Sequence, residues 1–242
     1  MSIFLSPLVG GISFDGIGDY WFAVIAMVAT QGFGNILFFK GVKSLDSGMA
    51  QIAFSSILIW GAILSVIFLD SVFSFSQIVG ILVMFLAIVI AQHKKGIKKP
   101  DLGFLYIAAS AILFAGFQVA SADLSEALST GAYLLLAYFG SSLLLALIYF
   151  KTIKKDWKSL KHQVKSTSTN TLFASGTSAL YFIFSYLAFQ EAPDRGVVVV
   201  LLTAQVILSV ILGIIFLKEK DNVERKVAAG ILAFIAGALI RS

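Results

Sequence analysis

Uncharged polar side chains that recur four positions apart within apolar stretches are the residues of this sequence best suited to bind a ligand. Residues three or four positions apart share one face of a helix. Amides and hydroxyls both donate and accept hydrogen bonds, so such faces suit the recognition of a small polar molecule. The candidates for a polar cavity are Gln31, Asn35, Gln51, Ser55, Gln118, Tyr138, Tyr181 and Gln205.

Each of these side chains also has a simpler interpretation. A polar group within an apolar helix can bond to a neighbouring helix, which contributes about 0.6–2 kcal/mol. For any single residue this structural role is favoured, whereas for the whole set convergence on one central cavity is favoured. Trp60 and Tyr186 have the shape to stack on a ligand, but aromatic packing or anchoring at a membrane surface is the preferred interpretation of each.

The elements that carry these residues are predicted to be membrane-spanning helices. Of the 242 residues, 59% are hydrophobic and only 13% are charged, against roughly 25% charged in soluble domains. The mean hydropathy is +0.95, and a soluble fold has too little polar cover for so much apolar surface. The sequence predicts an all-α integral membrane protein with about eight transmembrane helices of about 20 residues each. They cover residues 20–40, 48–69, 76–92, 102–121, 131–150, 171–190, 196–217 and 226–240.

Basic residues collect in alternate loops between these spans, at residues 40–43, 93–101, 151–165 and 218–226, while the opposite loops carry mainly acids. By the positive-inside rule the basic loops are cytoplasmic, which puts both termini outside and the protein in the cytoplasmic, or inner, membrane. Topological anchoring is the favoured role of these lysines, and a site for lipid headgroups or a nucleotide is the alternative. The net charge of +5 therefore does not indicate a nucleic-acid partner.

Catalytic and metal-binding patterns are missing from the sequence. It has no Cys, its two histidines (His93 and His162) lie in polar loops, and it has no HExxH, Walker-type or GxSxG motif. No ionisable residue lies near the centre of a predicted span, where a charge costs about 2.5–3.5 kcal/mol on insertion scales. We therefore expect no cofactor, no metal and no enzyme activity. The expected partners are the lipid bilayer and a small-molecule substrate.

An internal repeat links the two halves of the chain. Residues 38–69 align with 186–217, and single-residue gaps extend the match to a Gly-Ile-Leu sequence in each half. The matched positions are Asp46 with Asp194, Gly48 with Gly196, Asp70 with Glu219 and Gly80 with Gly230. The expected roles are structural, because Asp can cap a following helix and Gly allows a turn or a close helix approach. Matched helices are five apart, an odd number, so the copies cross the membrane in opposite senses.

The second copy resembles a known transporter family. From Leu187 the sequence LAFQEAPDRGVVVVLLTAQVILSVILGIIFLKEKDNVERKVAAGILAFIAGALI is similar to the last two helices of EamA-type transporters, in the drug/metabolite transporter superfamily. Glu219 and Gly230 match the acid and the glycine of that pattern, and Asp70 and Gly80 match them in the first copy.

The resemblance implies ten helices in two five-helix repeats. The eight predicted here then form an incomplete three-helix repeat over residues 1–92 and a five-helix repeat over residues 102–242. Where the family commonly has a proline in the long helix of each repeat, this chain has Ser56 and Gln205. The family usually places its C-terminus in the cytoplasm, opposite to the charge pattern of this sequence.

Two functions are compatible with these observations. The favoured one is a secondary transporter or exporter of a small polar metabolite, such as an amino acid, that works by alternating access between inverted repeats. The alternative is an N-terminally truncated or eight-helix membrane protein that does not transport alone and serves as an interaction subunit.

Overall fold

In a computed structural model of the chain, residues 11–45, 47–92, 102–203 and 223–241 are described. They form helices joined by short turns, and no strand occurs among them. They also include a 3₁₀ turn (Leu124–Glu126) and a π-helical segment (Leu136–Gly140). The α-helices, numbered α1 to α12 in chain order, are Trp21–Val42, Ser47–Phe54, Ile57–Phe68, Phe75–Gln92, Leu102–Asp123, Thr130–Leu135, Ser141–Ile148, Phe150–Lys155, Trp157–Ser166, Ser168–Glu191, Arg195–Thr203 and Val223–Arg241.

The apolar helices match the predicted membrane spans. Within the described ranges, the stretches long and apolar enough to cross a membrane are Trp21–Val42, Leu102–Glu126, Thr130–Ile148 and Thr171–Glu191. Shorter apolar helices cover Ile52–Phe68, Phe75–Ile90 and Val227–Ile240. The predicted all-α membrane fold is therefore confirmed. The predicted span 196–217 begins with α11, and its remainder lies outside the described residues, as do Asp46, Gln205 and Glu219.

The second predicted span is not one continuous helix, because it is interrupted at Ser55 and Ser56 between α2 and α3. The Ser55 hydroxyl donates to the carbonyl of Ile52 at 2.6 Å, and the Ser56 hydroxyl donates to that of Ala53 at 2.8 Å. The backbone N–H of Ser56 also bonds to Ala53, three residues back, at 3.4 Å. Serine hydroxyls that bond back to the preceding turn bend helices. Ser56 is one of the two positions at which the sequence resemblance described above implied a proline.

The fifth predicted span also departs from a regular helix. Between α6 and α7 the segment Leu136–Gly140 is π-helical, and the Ser141 hydroxyl donates to the carbonyl of Ala137 at 2.5 Å. A π-helical turn holds one more residue than an α-helical turn and rotates the side chains that follow it. Single turns of this kind occur frequently at functional sites.

Spatial contacts divide the chain into two compact units. The first contains the residues up to Gly32 together with Ala120–Glu191, and the second contains Phe33–Val119 together with the residues from Ala192 onward. These units are defined by packing and not by sequence similarity. The division into repeats 1–92 and 102–242 therefore stays a prediction.

Two stacked tyrosines form the centre of the first unit. The rings of Tyr133 and Tyr186 lie parallel with centroids 3.8 Å apart, and both side chains are fully buried. The Tyr186 hydroxyl lies 2.8 Å from the carbonyl oxygen of Leu124 and 3.0 Å from that of Leu128. Its polar atom is thus satisfied within the protein, so Tyr186 packs against the protein and is not exposed for stacking on a ligand.

In the second unit, α4 packs along α12, and α3 packs against α11. Gly80 lies where α4 and α12 approach each other closely, because a Cβ on Gly80 would lie 2.9 Å from the carbonyl oxygen of Ala236. Gly230 differs from its predicted counterpart, because a Cβ there would meet no atom within 4 Å. The buried face of α12 is formed instead by neighbours such as Ala233 and Ala236. Close helix approach is thus observed at Gly80 and not at Gly230.

Asp194 caps the start of α11. Its Oδ1 accepts hydrogen bonds from the backbone N–H of Gly196 at 2.8 Å and of Val197 at 3.4 Å. The same oxygen accepts a bond from the Ser71 hydroxyl at 2.8 Å. A Cβ on Gly196 would collide with Ser71 and would lie 2.8 Å from the Cβ of Ser65. A side chain at residue 196 would therefore push α11 away from the end of α3.

Asp70 ends α3. It is the non-glycine residue with a positive φ, 52°, among those described, and this left-handed conformation commonly stops a helix, with Asp tolerated there better than most residues. Asp70 is exposed. Its role in the fold is thus the chain reversal between α3 and α4.

Candidate functional site

A groove lined mostly by hydroxyl-bearing residues opens on the first unit between the π-helical segment and the first half of α10. Its volume is about 460 Å³, and it is lined by Tyr138, Thr171, Ala174, Ser175 and Ser178. We call it the Tyr138 groove. Tyr138 belongs to the membrane-spanning stretch Thr130–Ile148, and the other lining residues belong to Thr171–Glu191. The groove therefore places hydroxyl groups within an otherwise apolar pair of helices.

Tyr138 is held at its hydroxyl by a hydrogen bond and at its ring by an aromatic contact. Its hydroxyl shares a hydrogen bond of 2.7 Å with the hydroxyl of Ser178. Its ring centroid lies 4.8 Å from that of Phe182, and Tyr181 approaches the same phenylalanine edge-on at 5.7 Å. Two of the predicted site residues, Tyr138 and Tyr181, thus flank one aromatic ring. Because Tyr138 and Ser178 lie on separate helices, their bond also joins the π-helical segment to α10.

The chemistry of the Tyr138 groove is that of neutral hydrogen bonding. Its lining offers the hydroxyls of Tyr138, Thr171, Ser175 and Ser178 and no ionisable carboxylate or amine. A hydroxyl donates one hydrogen bond and accepts up to two, so these groups can match both donors and acceptors of a small solute. Ser175 already donates to the carbonyl of Thr171 at 2.7 Å, which leaves its oxygen lone pairs as acceptors.

Other predicted cavity residues lie in the second unit, on α2 and α5 and at the interruption that follows α2. Gln118 is 7% exposed, and its side-chain oxygen accepts no hydrogen bond within the described structure. A buried acceptor without a donor costs about 1–3 kcal/mol, so Gln118 suits contact with a bound donor. Ser55 is fully buried and is used at the helix interruption. Gln51 lies in α2, where only its backbone is described.

The remaining pair of predicted residues, Gln31 and Asn35, lies on α1. Gln31 is 6% exposed and belongs to the first unit. Asn35 is partly buried and belongs to the second. The structure brings Tyr138 and Tyr181 together around Phe182, and convergence of the whole set on one cavity stays a prediction.

Sequence reasoning missed part of the groove lining. Thr171, Ser175 and Ser178 are spaced by four and three residues, which places them on one face of α10. This spacing was a detectable signal, but Thr171 and Ser175 lie near the start of the span, where polar residues are common. The π-helical segment that aims Tyr138 at this face has no comparable signature in the sequence.

Comparisons with known proteins agree with this architecture. The EamA-like transporter family matches residues 1–91, and no curated protein sequence matches the chain. A crystal structure of a protein with 15% sequence identity superposes with a TM-score of 0.74 and covers 99% of this chain and 83% of that one. At that identity the likeness shows the fold alone. Residues 1–91 of the chain are therefore similar to the EamA-like transporter family, and the fold of the chain is similar to that of the superposed structure.

Proposed function

We propose that this protein is a secondary transporter of a small, polar, amino-acid-like metabolite, and that the Tyr138 groove contributes to its substrate path. The observation that carries the proposal is the set of hydroxyls on two apolar membrane-spanning stretches, next to a π-helical turn. Polar groups that face lipid are unfavourable, so their position favours contact with a polar solute or water. A substrate recognised there bonds to neutral groups.

Alternating access between inverted repeats is the proposed mechanism. In transporters of this plan, one repeat moves against the other around a site near the middle of the membrane. The helices paired as copies by the sequence are also neighbours in the second unit, where α3 packs on α11 and α4 on α12. Such pairing supports a symmetric arrangement of the copies, in which movement of one hairpin is matched by its partner.

The proposed orientation follows the basic residues. Lys151, Lys154, Lys155 and Lys158 are exposed, and the positive-inside rule puts them on the cytoplasmic side of the inner membrane. The Tyr138 groove includes Thr171, which is close to the start of α10. Because α10 follows the basic segment, this orientation makes the groove open toward the cytoplasm.

Transport by purified protein in liposomes tests the proposal. A panel of labelled amino acids, other polar metabolites and organic ions is offered with and without proton or sodium gradients. We expect saturable uptake of a neutral or zwitterionic solute and none of simple organic ions. The absence of uptake for every compound, with protein that remains folded by circular dichroism, would contradict the proposal.

Two tyrosine variants then test the groove itself. Tyr138→Phe removes one hydroxyl from the groove, and Tyr149→Phe removes one outside it, so the second serves as the matched control. Loss of a neutral hydrogen bond of about 0.5–1.5 kcal/mol corresponds to about a 2–10-fold change in the apparent KM. We expect that change for Tyr138→Phe only. Equal kinetics for both variants would remove Tyr138 from the substrate path and leave the transport activity itself in place.

A further inference from the structure

The segment between the two membrane-spanning stretches of the first unit has an unusual distribution of apolar residues. It comprises α8 and α9, and no residue of α8 is buried. Phe150 is 61% exposed and Trp157 is 62% exposed, although both follow the end of the stretch Thr130–Ile148. Exposed aromatic residues within a span contact lipid chains, but these two lie beyond the end of the stretch Thr130–Ile148 and need a different explanation.

The two helices act as one amphipathic surface. The N–H of Asp156 bonds to the carbonyl of Thr152, and the N–H of Leu160 bonds to that of Asp156, both at 2.9 Å. These bonds meet at Asp156, whose φ of −101° and ψ of 16° separate the two helices. The sum of the two angles stays near the helical value, so a rotation of about 100° per residue describes both helices together. Phe150, Ile153, Trp157 and Leu160 then fall within an arc of about 80°.

Lysines occupy the adjacent arc. Lys151, Lys154, Lys155 and Lys158 are all exposed, and at 100° per residue they fall within about 100° of one another, beside the apolar arc. An apolar face with Trp and Phe, next to a lysine face, is the pattern of helices that lie in the plane of a membrane surface. The helix begins two residues after Ile148, the end of a spanning stretch, which places it at that surface.

We propose that α8 and α9 form an interfacial helix that binds the headgroups of anionic phospholipids. The apolar arc enters the boundary between headgroups and acyl chains, and the lysine arc contacts the phosphates. The charge is complementary, and the position at the end of a span commits the site to the lipids of the protein's own membrane. Topological anchoring requires only that the loop carries positive charge. It does not require the lysines and the apolar residues to lie on separate faces of the helix. The inference is independent of the proposed substrate path.

Site-directed spin labelling in lipid nanodiscs tests the proposal directly. The chain has no Cys, so single cysteines report without background. Leu160→Cys reports on the apolar arc, and Thr152→Cys, which lies about 120° from the middle of that arc and outside the lysine arc, is the matched control. Collision with oxygen marks a label in lipid, and collision with a water-soluble nickel chelate marks a label in water. Measurements are made in neutral phosphatidylcholine and with about one third phosphatidylglycerol.

We expect the Leu160 label to be in lipid and the Thr152 label in water when anionic lipid is present. Each lysine near an anionic surface is worth about a fivefold change in partitioning. Introducing Lys154→Gln with Lys155→Gln is thus expected to lower the partitioning of the Leu160 label into lipid about 25-fold, and replacing phosphatidylglycerol by neutral lipid, which removes the attraction of all four lysines, is expected to lower it further. The same double change at Lys40 and Lys43 serves as the control and is expected to have no effect.

Two results would overturn the proposal. Equal water accessibility of both labels would place the helix away from the membrane. Immersion of the Leu160 label to the same extent in neutral and anionic discs would show an apolar anchor without a headgroup site. The lipid comparison uses the native lysines, so it decides the question even if the lysine variants fail to fold.

Discussion

Substitution of Gly80 by Ala is expected to destabilise the protein, whereas the same substitution at Gly230 is not. A Cβ at Gly80 would lie 2.9 Å from the carbonyl oxygen of Ala236, 2.9 Å from Cγ1 of Ile240 and 3.0 Å from Cβ of Leu239. Two of these three atoms are fixed by the backbone of α12, so they cannot move away by a change of rotamer. Relief to a normal carbon contact requires α12 to shift by about 0.5–1 Å.

The magnitude follows from two opposing terms. Overpacking a close contact typically costs about 1–3 kcal/mol, and Ala in place of Gly within a helix contributes about 1 kcal/mol of stability. Gly80→Ala thus has a net effect from near zero to about 2 kcal/mol of destabilisation. A Cβ at Gly230 would meet no atom within 4 Å. Gly230→Ala therefore has no overpacking cost and keeps only the gain in helix stability of about 1 kcal/mol. The difference between the two variants isolates the cost of overpacking.

Thermal unfolding in one detergent, followed by tryptophan fluorescence, measures this difference. For a protein of this size, each kcal/mol shifts Tm by about 2–4 °C, so the middle of the expected range is a gap of about 4–8 °C with Gly80→Ala the lower. A Gly80→Ala protein as stable as the Gly230→Ala protein would refute the assigned contact between α4 and α12. It would also remove the asymmetry between the two matched glycines.

Three further predictions concern single positions. Ser56→Pro is expected to cost about 1–2 kcal/mol, through loss of the 2.8 Å hydroxyl bond and the 3.4 Å N–H bond to Ala53, while its φ of −59° already suits proline; Ala62→Pro inside α3 is expected to cost about 3 kcal/mol, and equal losses of Tm would contradict the interruption. Asp194→Ala is expected to destabilise by about 1–3 kcal/mol, through loss of the cap and of the Ser71 bond, and Asp194→Asn by less than half of that in the same thermal assay. Ser166→Cys is expected to react with membrane-impermeant maleimide only from the cytoplasmic side, and labelling in intact cells would reverse the orientation.

The helices were the most predictable part of the fold. For α1, α4, α5 and α10 the predicted and observed ends agree within three residues, because a run of about 20 apolar residues has few alternatives in a chain of this composition. Hydropathy counts side chains and carries no information on carbonyl positions. It therefore predicted a straight helix where the hydroxyls of Ser55 and Ser56 bond back to the preceding turn.

The site was predictable in residue type more than in geometry. Polar spacing identified Tyr138 and Tyr181, which do flank one ring, but the groove depends on the π-helical segment and on Thr171 and Ser175. An extra residue in one turn rotates everything beyond it by about 100°. No regular period detects such a rotation, so the partners of Tyr138 had to come from the structure.

The serine interruption between α2 and α3 has a consequence for the surrounding lipid. A proline at such a place removes a donor and leaves a carbonyl that water or a neighbouring helix must satisfy. Here Ile52 and Ala53 receive their hydrogen bonds from hydroxyls of the same chain segment. These two carbonyl groups therefore need no water molecule as a hydrogen-bond donor within the membrane. Their bonds stay the same whether the adjoining surface faces acyl chains or another helix.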